Sequence, residues 1–97
     1  MDRSEALELA RARLFALRAL SPETLRTRAD ETPVHQEEAG AGAVHCHLLV
    51  IRCEWTEDDG RPAVRVSVNV EDGGFPVLDP DEVSFVRAVP DAEEEAP

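Results

Sequence analysis

The hydrophobic positions of the chain follow a helical period first and a strand period later. Over residues 3–19, Leu7, Ala10, Leu14 and Leu17 recur at the three- and four-residue spacing of one helix face, and Ala6, Leu9 and Leu20 widen it. Asp2 followed three residues later by Glu5 makes a capping box in front of a run rich in Ala, Leu, Arg and Glu, all strong helix formers. The spacing therefore predicts a helix over about 3–19 with its apolar stripe laid on a sheet. Phe15 falls off that stripe. Its expected place is against a flanking strand, the other option being a contact with a second chain. Ser21-Pro22-Glu23 then starts a shorter helix over about 22–29, with Ser as the cap and Pro at the first helical position, where no amide donor is needed.

Residues 30–42 mix acids, Pro33 and the spacer Gly40-Ala41-Gly42, and hold one short edge strand around 34–37. Beyond them the period falls to two. Ala43 to Trp55 is the longest apolar segment, and Val64, Val66, Val68 and Val70 alternate with polar residues on one strand face. Between the two segments, Asp59-Gly60 favours the two-residue type I′ turn. That turn sets Asp58 opposite Arg61, and the facing pairs of the two strands follow from there. The register puts Trp55, Cys53, Ile51 and Leu49 opposite the four valines on the core face. On the other face it pairs Glu54 with Arg65, and a one-residue slip would drive Arg52 and Glu54 among the valines. Gly73-Gly74 and Pro76 break the second strand, and Pro80-Asp81 leads into a last strand near 83–89.

The fold class that follows is α+β: an N-terminal helix packed on a three- to four-stranded antiparallel sheet, helix on meander. One domain spans residues 1–89, and the acidic segment 90–97, without an anchoring aromatic, is expected to be a disordered tail. At 97 residues the chain has room for a single core.

Charge narrows the function. Ten Arg and no Lys stand against 21 acidic residues, a net charge of -11 that repels phosphate backbones, so no nucleic-acid partner is expected. The surplus is uneven: residues 1–28 carry six Arg and four acids, +2, while the other 69 carry four Arg and 17 acids, -13. Such asymmetry lets the helix of one copy attract the sheet of another, or steers a partner to the sheet side. Without lysine there is neither a Schiff-base catalyst nor a P-loop lysine. No apolar run approaches the roughly 20 residues that span a bilayer, and Arg11, Arg13 and Arg18 interrupt any signal-peptide core. No membrane association is expected, and the cytoplasm is the expected compartment.

Coordinating chemistry concentrates at His45-Cys46-His47. On a strand His45 and His47 share a face and Cys46 turns away, which rules out a joint three-ligand site from the tripeptide. Cys53 shares the histidine face but lies six residues beyond His47, about 20 Å at strand rise. The hairpin register brings Asp72 opposite His47, so His45, His47 and Asp72 are the candidate ligands for a divalent metal such as zinc, with His35 a possible fourth. Nothing in the sequence adds a nucleophile with its base, because both histidines project away from Cys46. No enzyme activity and no cofactor are expected on the leading reading, which is a different one. Val44, Cys46, Leu48 and Val50 form an apolar run on the outer face of the long strand, which the main helix cannot also cover. Either the short helix around Leu25 and Ala29 covers it or another chain does. This makes the chain a small acidic non-catalytic protein-interaction domain, of the inhibitor, immunity-type or accessory-subunit kind, with a protein partner or a homodimer formed through the sheet. The metal- or small-ligand-binding domain is the alternative.

Overall fold

The computed structural model describes residues 2–39 and 47–89. Helix α1 covers Arg3–Arg18 and helix α2 Pro22–Glu31. The caps are those written in the sequence: the Asp2 side chain accepts from the Glu5 amide, and Ser21 Oγ accepts from the Thr24 amide at 3.1 Å with Pro22 opening the helix. The strands are β1 (Val34–Ala39), β2 (His47–Asp58), β3 (Arg61–Asp72), β4 (Phe75–Pro76) and β5 (Ser84–Ala88). Neighbouring strands are all antiparallel in the order β1-β2-β3, after which β4 and β5 both pair with the far side of β3. The α+β class and the helix-on-meander arrangement are those expected from the pattern.

The central hairpin has the anticipated register, from His47 opposite Asp72 to Asp58 opposite Arg61. Its turn residues Asp59 and Gly60 have φ of 53° and 76°, the left-handed pair that a type I′ turn requires. Residues 72–75 repeat the device. Gly73 and Gly74 have φ of 61° and 91° and return the chain so that Phe75 faces Asp72. A break was expected at the two glycines. They form a second tight hairpin instead, because two residues free to take positive φ are what a two-residue connection needs.

Beyond Pro76 the edge strand is interrupted, and Asn69 bridges the interruption. Its Nδ2 donates to the Leu78 carbonyl at 3.0 Å, while Oδ1 accepts the Leu78 amide at 3.0 Å and the Val70 amide at 2.8 Å. One side chain thus supplies the donor and acceptor that a ladder partner would have offered. Leu78 and Val83, on either side of the bulge, are both buried in the core. Ladder bonding resumes where the Val68 amide donates to the Val83 carbonyl, leading into β5.

Both helices lie on one face of the sheet, α1 over β3 and α2 over β2. Ala6, Ala10, Leu14 and Leu17 of α1 and Leu25 and Ala29 of α2 enter the same core as Leu49, Ile51, Cys53 and the four alternating valines. This decides against α2 as the cover of the outer sheet face: Leu25 and Ala29 extend the stripe of α1 rather than crossing to the other side. Trp55 keeps its register opposite Val64 but stands at the end of the sheet, where its indole Nε1 donates to Asp30 of α2 at 2.8 Å. The last segment, residues 90–97, lies outside the described residues, as does the expectation of disorder there.

Cys53 is enclosed between β2 and α2, and burial pushes its thiol up from the ordinary 9.0, with Arg28 opposing the shift. The unfolded chain therefore releases this proton first, so the contribution to stability is complete below about pH 9 and declines as pH rises further. The chain has no Lys and no Tyr, which leaves few other groups titrating in that range. In a Cys46→Ser background, the urea midpoint is expected to fall from about pH 9 upward. Cys53→Ala should flatten that decline, and an unchanged slope would remove the thiol as its cause.

Candidate functional site

His47 and Asp72 meet at the open end of the central hairpin. His47 is 9% exposed, and its Nε2 stands 3.5 Å from Oδ1 of the more open Asp72. These are two of the three expected metal ligands, and their approach follows directly from the register. The third, His45, lies outside the described residues. His35 does not join them. β1 pairs with β2 as expected, but His35 sits opposite Ile51, four residues and about 13 Å along the strand from His47. Its Nε2 is 3.2 Å from Glu37 Oε1, the same oxygen that takes Arg13 Nη2 at 2.5 Å. Among the described residues no three metal-binding side chains converge.

Of the expected interface run, Val44 and Cys46 lie outside the described residues. Leu48 is half-buried and Val50 is only 2% exposed. Val50 forms part of the floor of a shallow basin of about 350 Å³, walled by Arg52, Glu54, Ser67, Asn69 and Glu71 and closed on one side by Pro76, Pro80 and Asp81. Arg65 approaches Asp81 at 3.9 Å on the same face. The outer face around Val50 is thus a mixed-charge surface, with the apolar residue sunk beneath long polar neighbours.

The open apolar surface is on the helix side, at the other edge of the sheet. Phe15 is 78% exposed. It does not pack on a flanking strand as expected: it sits one residue beyond Leu14, rotated about 100° away from the core stripe and over the edge of the sheet. There it lines a cleft of about 310 Å³ with Arg11, Leu14 and Arg18 of α1 and Glu82, Val83 and Ser84 at the start of β5. The cleft has fixed walls. At one end Arg3 pairs with Glu82 Oε1, whose other oxygen takes the Asp79 amide at 3.2 Å. At the other end Arg87 of β5 donates from Nη1 to the Leu20 carbonyl at 2.6 Å and from Nη2 to the Arg18 carbonyl at 2.7 Å. These carbonyls belong to the C-terminal end of α1 and the turn after it, where a cation is favoured. Arg87 and Arg18 also both lie over the Phe85 ring, at 5.4 and 5.5 Å from its centroid.

The sequence signal for this cleft was the position of Phe15 off its stripe. The partner elements were not legible, because the approach of β5 to α1 depends on the bulge at 78–82 and on Arg87, 69 residues from Arg18. Comparison of the chain with protein-family models, with curated proteins and with solved structures finds no match.

Proposed function

We propose that the protein is a small non-catalytic interaction domain whose contact surface is the side where α1 overhangs β5. The observation that carries this reading is Phe15, a large aromatic held 78% exposed between two arginines at the mouth of a cleft. Aromatic and arginine side chains supply much of the binding energy of protein interfaces, because they bury large area with little loss of rotamer freedom or with several donors at once. The bed of the cleft is apolar at Leu14 and Val83, which gives such a contact a dry centre and a charged rim. An accessory subunit, an inhibitor or a self-associating scaffold would each use such a surface.

The test compares two phenylalanines of equal exposure. A photo-reactive phenylalanine analogue in place of Phe15 is expected to give an adduct of discrete mass in the producing cell, whereas the same analogue at Phe75, also 78% exposed but outside the cleft, gives none. Equal or absent labelling at the two positions would overturn the assignment of the surface.

A further inference from the structure

Resting on that reading, we infer that the occupant of this surface is a second copy of the chain, joined through β5 about a two-fold axis at Val86. β5 pairs with β3 on one side, and among the described residues no strand pairs with its other side. The Val68 amide donates to the Val83 carbonyl and the Val89 amide to the Pro62 carbonyl, and these two bonds fix which residues bond inward. By alternation, Phe85 and Arg87 also turn their amide and carbonyl groups to β3. Ser84, Val86 and Ala88 then present theirs to the open edge.

That edge is complementary to itself. Antiparallel pairing about Val86 sets Ser84 opposite Ala88 of the second copy and Phe85 opposite its Arg87. The three outward residues of each strand become hydrogen-bonded pairs, the arrangement an isologous interface requires. The remaining pair matches a cation to an aromatic face, a combination that Phe85 and Arg87 already form within one chain at 5.4 Å. Val86, 42% exposed, meets itself on the outer face, and Phe15 is carried toward the second copy on the helix side.

Charge selects this edge over the opposite one. β1 carries Glu37 and Glu38, so pairing there would bring the acids of both copies to one seam, whereas β5 carries Arg87 and no acid. The α1 side also belongs to the +2 portion of a chain whose remainder carries -13. Both copies carry a net charge of -11. Their repulsion is relieved by salt, so association should strengthen as ionic strength rises, the opposite of what an acidic ligand bound to Arg11 and Arg18 would show.

Sedimentation of the full chain at micromolar concentration is expected to give twice the monomer mass, and Val86→Pro to weaken the dimer by about tenfold or more, since it deletes an intermolecular donor. The Val86 amide faces away from β3, so this substitution spares the bonds of the monomer. In a Cys46→Ser background, Val86→Cys should form a disulfide-linked dimer on mild oxidation, because facing residues on the axis lie about 5.5 Å apart at Cα. Val34→Cys on the β1 edge, 46% exposed in the native protein, should not. A monomer at all concentrations, or equal cross-linking at positions 34 and 86, overturns the dimer. If the photo-adduct at position 15 then contains a different polypeptide, the dimer fails while the interaction surface stands.

Discussion

Leu25→Ala is expected to lower the free energy of unfolding by about 2–5 kcal/mol, the usual cost of deleting three buried heavy atoms from a closely packed site. Leu25 is fully buried and joins the core that α1 builds over the sheet. A domain of this size has only about 5–15 kcal/mol in total. Urea unfolding followed by Trp55 fluorescence measures the effect, because Trp55 is bonded to Asp30 on the same helix. Phe15→Ala is the control: its ring is exposed in the single chain, so at concentrations where the protein is monomeric the cost should stay within about 0.5 kcal/mol. A Leu25→Ala effect as small as that of the control would place α2 off the sheet and undo the packing described above.

Asn69→Ala is the second large effect, expected at about 2–3 kcal/mol. Three bonds end on this side chain, and its removal leaves both the amide and the carbonyl of Leu78 without their partner in a part-buried position. Asn69→Asp discriminates the mechanism. It keeps an oxygen for the Leu78 and Val70 amides but presents a second oxygen to the Leu78 carbonyl, so it should be no better than Ala. Hydrogen exchange should accelerate at the amides of residues 70, 77 and 78 while the Asp59-Gly60 end of the hairpin keeps its protection. Full stability in Asn69→Asp would show that the donor to Leu78 contributes nothing. The consequence for the proposed interface is direct, since the bulge that Asn69 pins sets where β5 begins and how the cleft wall of Glu82, Val83 and Ser84 stands beside α1.

Val50 and Phe15 mark the limit of what the hydrophobic pattern determines. Val44 to Val50 was a contiguous alternate run, so its outer face was expected to need a cover. In the structure Val50 is covered by its own neighbours: Arg52, Glu54, Asn69 and Glu71 rise around it, and the 76–81 segment closes one side. Long polar side chains shield a small apolar one without any further element. Phe15 is the opposite case. A single aromatic off the stripe carried little weight in the sequence, yet it is among the most exposed large apolar residues of the described chain.

Local rules settled what short-range geometry settles. The capping residues Asp2 and Ser21, the helical stripe of α1 and the Asp59-Gly60 turn each act within about four residues, and the turn then propagated its register along twelve residues of β2 and β3. That register alone brought His47 and Asp72 together. What the tertiary structure decided are the relations for which no local period exists. These are the docking of α2 beside α1 rather than across the sheet, the stitching of Leu78 to Asn69, and the anchoring of β5 to the end of α1 by Arg87. Each joins groups distant in sequence or in direction through a side-chain contact whose free energy exists only once the core has formed. The cleft and the open edge of β5 are products of those contacts.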